Sequence, residues 1–196
     1  LERRLATLLP EPPAVAMGMT YGNPSIARAL DRLLASGIRR LVVLPLYPQY
    51  SATTTAAALD RVDAALAGID SPPERLVIED YHDDPRHIAA LAASIAAARA
   101  PFDHLLFSFH GIPARYAAAG DPYDGQCRAT ARLVAARLGL GAERWSIAFQ
   151  SRVGRARWLE PYTEDRLRED RCAEQWLSGP AAAGGDDDAG MRGRAL

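Results

Sequence analysis

The chain has 196 residues, of which 48% are hydrophobic, and a formal net charge of -1 at pH 7. This length and composition suffice for one large or two small α/β units. The near-neutral charge gives no basic field for nucleic acid, and no apolar run reaches the roughly 20 residues that span a membrane. We therefore expect a cytoplasmic protein with no nucleic acid partner and no transmembrane segment.

The first part of the chain predicts a strand, a helix and a second strand. Residues 14–21 read as the first strand. Asn23 is a good N-cap and Pro24 a good first helical residue, so a helix is predicted to follow and to end at Gly37. The continuous apolar run at 41–44 is typical of a strand that is covered on both faces.

The same alternation continues through the next segment. The Ser/Thr cluster at 51–55 predicts the start of a second helix, either by N-capping alone or with hydroxyls that meet an anionic substrate edge. Residues 75–81 predict the next strand. Asp84 as N-cap and Pro85 at the first helical position then predict a helix that runs to about residue 98.

Ligand-type side chains surround that predicted helix start, namely His82, Asp83, Asp84 and His87. A loop that caps the helix explains all four. A metal site is the alternative that we favour less.

The apolar run at 105–109 predicts a buried parallel strand that ends at His110. In open α/β sheets the carboxyl ends of strands are where ligands bind. The turn that begins at Gly111 and contains Pro113 fixes the direction of the chain there. His110 is therefore a candidate metal ligand or proton acceptor, and a plain turn residue is the alternative.

The last predicted elements are a helix over about 124–137 and a strand over 145–150. The strand ends at Gln150, again at a carboxyl edge. Steady alternation of strand and helix predicts a doubly wound parallel α/β fold. Beyond about Arg168 the periodic apolar pattern stops, and we expect disorder over residues 168–196.

Four blocks of sequence resemble ferrochelatase, in the form found in Gram-negative bacteria. They are MTYGNPSIARALDRLL, VVLPLYPQYSATTT, FSFHGIPARYAAAGDPYDGQCRATARLVAARLGL and FQSRVGRARWLEPYT. The resemblance implies a chelatase-like fold of two Rossmann-like halves, incomplete at both ends, with the active cleft between them. Residues 1–86 would be the remainder of the first half, residues 87–167 the start of the second with the catalytic His110, and residues 168–196 a tail outside the family pattern.

The resemblance also implies an activity, the insertion of Fe²⁺ into protoporphyrin IX to form protohaem. Ferrous iron and protoporphyrin IX would be the substrates, and we expect no permanently bound cofactor. A loose association with the membrane surface is possible, and the oligomeric state stays open. His110 would be the catalytic residue, as proton acceptor or as metal ligand. The residues that would line the macrocycle pocket are Tyr21, Tyr47, Tyr123, Gln150 and Trp158. For each of them, packing within the protein is the alternative role. Arg152 could pair with a propionate of the porphyrin.

Some ferrochelatases carry an iron–sulfur cluster, which normally needs four ligands, commonly all Cys. The chain has two cysteines, Cys127 and Cys172, far apart and in no CxxC motif. We therefore expect no cluster here, and free thiols in a reducing compartment.

The sequence departs from the family pattern at both ends. The family has a further stretch before Leu1, so we expect this chain to begin inside a longer protein. The family's later Glu, which faces the catalytic His, is not recognisable after Arg168, so activity without it stays open. A shifted reading frame would explain the tail, and reading the DNA in the other frames tests that hypothesis.

Three other interpretations remain. The chain could be a catalytically silent domain that still binds a porphyrin or a metal. It could also be a related tetrapyrrole chelatase for another metal such as cobalt, although the PLYPQYSATTT and QSRVG blocks favour ferrochelatase. A dinucleotide-binding enzyme is disfavoured because no GxGxxG follows a predicted strand.

Overall fold

The structure is a computed structural model, and it describes residues 1–98 and 101–169. In chain order the elements are α1 (Glu2–Leu8), α2 (Ile26–Ala35), β1 (Arg40–Val43), a π-helix (Ala52–Ala56) that continues into α3 (Ala57–Leu66), β2 (Glu74–Val77), α4 (Pro85–Ala97), β3 (Leu105–His110), α5 (Ala114–Ala118), α6 (Tyr123–Arg137), a 3-10 turn (Ala142–Arg144), β4 (Trp145–Gln150) and α7 (Thr163–Glu169). The predicted disorder of the tail lies outside the described residues from position 170 onward. Among the helices of the described part, none is long and apolar enough to cross a bilayer.

The first sheet consists of β1 and β2, which pair in parallel. Helices α2 and α3 pack on one face, where Leu30, Leu41 and Val62 form a buried cluster. Val42 and Leu76 pair in register on the opposite face and are 58% and 62% exposed. The prediction that this strand is covered on both faces is therefore wrong, because α2 and α3 both pack on the side to which Leu41 points.

The second sheet consists of β3 and β4, which pair in parallel over six residues from Leu105 and Trp145 to His110 and Gln150. Helices α4 and α6 cover one face, where Ile88, Ala92 and Val134 form a buried cluster against Phe107. On the other face Ser108 Oγ lies 2.9 Å from Thr163 Oγ1, which places the start of α7 there. Helices α4 and α6 therefore cover one face of a parallel sheet, and the predicted α/β class with parallel sheets is confirmed.

Polar contacts from α6 hold the loops that follow the strands of the first sheet. The side-chain amide of Gln49 donates to Thr130 Oγ1 at 3.0 Å, and the buried Thr130 hydroxyl lies 2.8 Å from the His82 carbonyl oxygen. The main-chain N–H of Tyr50 donates to Gln126 Oε1 at 2.6 Å. Residues 126 and 130 lie one turn apart on α6, so a single helix face fixes both loops.

The start of the chain differs from the prediction. Within the described residues, segment 14–21 forms only an isolated bridge between Met19 and Ser25. Gly18 packs against the start of α2, where an added Cβ would lie 2.8 Å from the Ile26 Cα. Helix α2 begins two residues later than predicted, because the Pro24 carbonyl accepts from the Met19 N–H and Ser25 serves as the N-cap.

Other local signals are confirmed. Asp84 is the N-cap of α4, with Pro85 as the first helical residue. The predicted strands that end at His110 and Gln150 are β3 and β4. Strand β2 ends at Val77, short of the predicted residue 81, because the chain then leaves the ladder and the Tyr81 N–H bonds to the Pro48 carbonyl.

Candidate active site

His110 is the last residue of β3, at the carboxyl end of the second sheet. Side chains alternate along a strand, and Phe107 and Phe109 pack toward the helix-covered face, so His110 belongs to the other face. Gln150 is its partner in register at the end of β4. The two polar side chains therefore stand next to each other where the two strands end.

A hydrogen bond to the backbone orients the His110 ring. Its Nδ1 lies 2.8 Å from the Gly111 carbonyl oxygen. A carbonyl oxygen can only accept, so Nδ1 carries the hydrogen of the neutral ring, and the lone pair is on Nε2. The exposed imidazole can then take up a proton or bind a metal ion through Nε2.

Gly111 lets an aromatic ring come close to the turn that follows His110. An added Cβ on this glycine would lie 3.0 Å from the Gln150 carbonyl oxygen and 3.3 Å from Cε3 of Trp158. The Trp158 indole N–H donates to the Val153 carbonyl at 2.9 Å, which fixes the plane of the ring. Trp158 therefore packs against the turn that follows the catalytic candidate.

Tyr123, the first residue of α6, contacts His110 directly. Its hydroxyl donates to the main-chain carbonyl of His110 at 2.9 Å, and its ring packs against the cluster that contains Cys127 and Phe149. Burial raises the pKa of the Tyr123 phenol, with smaller contributions from Cys127 and Asp121. The phenol therefore stays protonated and remains a donor.

Asp121, which is not among the site residues predicted from the sequence, joins the site to the first sheet. Its Oδ2 accepts from the Ser51 hydroxyl at 2.9 Å and from the Ala52 N–H at 2.8 Å, at the start of the π-helix. Its Oδ1 accepts from the Tyr123 N–H at 3.0 Å. An Asp two residues before a helix start is a capping signal. The contacts of Asp121 with Ser51 and Ala52 cannot be predicted from the local sequence, because those residues lie 70 and 69 positions away.

The structure thus brings together three of the predicted site residues, namely His110, Gln150 and Tyr123, and it places Trp158 beside Gly111, the residue after His110. Tyr21 is 80% exposed, with the Arg61 guanidinium 5.4 Å from its ring centroid. Tyr47 is exposed in the loop after β1. Among the described contacts, neither tyrosine joins the group around His110, and their role in a pocket stays a prediction.

Two further features lie outside this group. Arg152, the candidate partner of a propionate, has its guanidinium 4.5 Å from the ring centroid of Tyr162. This cation–π contact holds the Arg152 side chain. A shallow groove between α6 and β4 contains none of the predicted site residues, and it is lined by Gly125, Arg128, Ala129, Arg132, Trp145 and Ile147. We place the candidate site at the ends of β3 and β4 instead, because oriented polar groups converge there.

Comparison with known proteins gives the family. The sequence model of the ferrochelatase family matches residues 1–175. Ferrochelatase from Klebsiella pneumoniae (strain 342) is 50% identical over 170 residues, which are 85% of this chain and 53% of that protein. Ferrochelatase from Xanthomonas axonopodis pv. citri (strain 306) is 51% identical over 158 residues, which are 78% of this chain and 49% of that protein.

A third relative, ferrochelatase from Polaromonas sp. (strain JS666 / ATCC BAA-500), is 48% identical over 159 residues, 78% of this chain and 42% of that protein. The chain spans about half the length of the curated relatives that it matches. Both the family match and these identities cover most of the chain. The chain belongs to the ferrochelatase family.

Proposed function

We propose that this chain carries the catalytic histidine of a ferrochelatase, which inserts Fe²⁺ into protoporphyrin IX to form protohaem. The reaction joins one ferrous ion to the porphyrin and releases the two pyrrole protons. A group that accepts a proton or binds a divalent metal near neutral pH meets that requirement. The observation that carries the proposal is the bond from His110 Nδ1 to the Gly111 carbonyl, because it leaves the Nε2 lone pair available.

The surroundings of His110 support a flat, aromatic substrate. The Trp158 ring stands beside Gly111, and the Tyr123 hydroxyl bonds to the His110 backbone. Flat rings can grip a macrocycle and hold it bent, so that its nitrogens become reachable. We propose that Trp158, Tyr123 and Gln150 contact the macrocycle near its centre, with Tyr21 and Tyr47 as more distant contacts.

The proposed cleft lies between two halves, residues 1–86 and 87–167. Helices α2 and α3 pack on the first sheet, whereas α4 packs with α6 on the second, which supports a boundary close to the start of α4. The Asp121 carboxylate bonds to Ser51 and Ala52 across this boundary. A reducing, cytoplasmic compartment would keep both the thiols and the ferrous substrate in their reduced state.

Anaerobic insertion of Fe²⁺, or of Zn²⁺ as its substitute, into protoporphyrin by the purified chain tests the proposal. The unaltered chain and a His104→Gln control should insert the metal, and His110→Ala should not. His104 is a matched control because it lies just before the opposite end of β3 and bonds to Ser146. Porphyrin binding by fluorescence without any insertion would contradict the proposed activity and favour a silent binding domain.

A further inference from the structure

A second group of ligand-type side chains lies in the loop after β2, apart from His110. Asp80, His82 and Asp83 each offer one ligand atom, and these atoms lie within 4.8 Å of one another. Within residues 1–98 and 101–169 this is the one group of three or more such side chains close enough to hold a metal ion. The proposed function does not use it.

Of the four ligand-type residues that the sequence places near the start of α4, two have other contacts in the structure. Asp84 is occupied, because Oδ1 accepts from the Arg86 N–H at 2.8 Å and Oδ2 pairs with the Arg86 guanidinium at 2.8 Å. The His87 and Tyr81 rings pack edge to face, with their centroids 5.2 Å apart. These two residues serve the helix start and its packing, and Asp80 takes their place beside His82.

Contacts from outside the group fix the loop that carries it. The Tyr81 N–H donates to the Pro48 carbonyl at 2.9 Å, and the His82 carbonyl accepts from the Thr130 hydroxyl at 2.8 Å. The first contact comes from the loop after β1 and the second from α6. The backbone between the ligand-type side chains is therefore held before any ion arrives, which lowers the ordering cost of binding.

Burial and charge in the group suit a partly enclosed cation. The side chains of His82 and Asp80 are 17% and 33% exposed, and Asp83 is exposed. Two carboxylates can offset a charge of 2+, and the open side admits the ion and leaves space for water ligands. His82 Nδ1 lies 2.7 Å from Asp80 Oδ1, so two of the ligand atoms are already adjacent.

We propose that Asp80, His82 and Asp83 bind one divalent first-row transition cation, such as Zn²⁺, Co²⁺ or Fe²⁺. One imidazole nitrogen and two carboxylate oxygens match that class of ion, whereas Mg²⁺ and Ca²⁺ favour oxygen ligands alone. On binding, the metal takes the place of the hydrogen on His82 Nδ1, and the ring takes up a proton from solvent at Nε2, so that the neutral imidazole bonds to the metal through Nδ1 with no net change in protons.

Titration of the purified chain with Co²⁺, followed by its visible d–d absorption, tests this site without any measurement of turnover. The unaltered chain should develop an absorption band that His82→Ala abolishes. Asp83→Asn should weaken binding by at least about tenfold, or about 1.4 kcal/mol. Because Asp83 is exposed, this variant should fold even where removal of His82 disturbs the loop. Asp31→Asn, an exposed carboxylate on α2, is the matched control and should bind Co²⁺ like the unaltered chain.

The outcome does not depend on the proposed ferrochelatase activity. His110→Ala should keep the band that His82→Ala removes, so that failure of one site leaves the other testable. Excess Mg²⁺ should leave the band in place, and excess Zn²⁺ should remove it. Absence of the band in the folded, unaltered chain, its persistence in Asp83→Asn at full affinity, or its displacement by Mg²⁺ would each overturn the proposal.

Discussion

The Tyr123 hydroxyl donates a hydrogen bond to the main-chain carbonyl of His110, at a distance of 2.9 Å. This bond ties the first turn of α6 to the end of β3. Tyr123→Phe removes the donor and keeps the ring, so it should lower the free energy of unfolding by about 1 kcal/mol. Urea denaturation measures that loss. The same variant should slow metal insertion, and a variant equal to the unaltered chain in both respects would show that the bond contributes nothing.

Asp121 should contribute more to stability than its sequence position indicates. Asp121→Ala leaves Ser51 Oγ, Ala52 N and Tyr123 N without the acceptor they share, and hydrogen bonds to a charged group contribute about 1.5–3 kcal/mol. We expect the free energy of unfolding to fall by about 2 kcal/mol. The control is Asp124→Ala, which breaks only a half-exposed ion pair with Arg128 and should cost under about 1 kcal/mol. Equal losses in the two variants, measured by urea denaturation, would refute this ranking.

Gly111 should not tolerate even a methyl group. The added Cβ of Gly111→Ala would press on the Gln150 carbonyl and the Trp158 ring, and such overpacking costs about 1–3 kcal/mol. Gly125→Ala is the matched control, because its Cβ on α6 meets no atom within 4 Å and Ala favours a helix by about 1 kcal/mol over Gly. Thermal unfolding should therefore shift down for the first variant and up for the second. A shift in the same direction for both would contradict the close packing at Gly111.

The Cys127 thiol should be nearly inert in the folded chain. Burial raises its pKa to about 12 from the usual value of 9.0, so very little thiolate exists near pH 8. Reaction with a thiol reagent in a Cys172→Ser background should be slow until urea unfolds the chain. The pKa of this thiol is higher in the folded state than in the unfolded state. Its contribution to the free energy of unfolding is therefore fully present below about pH 9 and is lost as pH rises toward 12. Fast native labelling at pH 8 would contradict the burial of Cys127.

Local signals in the sequence predict much of the fold. Asp84 followed by Pro85 gives the start of α4, and the apolar run before His110 gives β3, because capping and alternation act within a few residues. The strand predicted for residues 14–21 does not form, and the reason is a non-local contact. Residues 14–21 have a strand-like composition, but Gly18 packs on Ile26 of α2.

In the candidate site, too, some features follow from the local sequence and others depend on distant contacts. The strand ends predict that His110 and Gln150 lie at a carboxyl edge, and the pairing of β3 with β4 places them side by side. The partners of Asp121 lie 69 and 70 residues away, so only the packing of α6 against the loop after β1 brings them together. Sequence periodicity contains no information on such contacts.

We propose that the His110 imidazole, with its lone pair on Nε2, takes part in metal insertion. The most direct measurement is the initial rate of Zn²⁺ insertion into protoporphyrin by His110→Ala, with and without added imidazole. We expect a rate at least about 100-fold below that of the unaltered chain, with partial recovery when imidazole is added. A rate within about twofold of the unaltered chain, or a loss that imidazole leaves unchanged while the variant still folds and binds porphyrin, would contradict it.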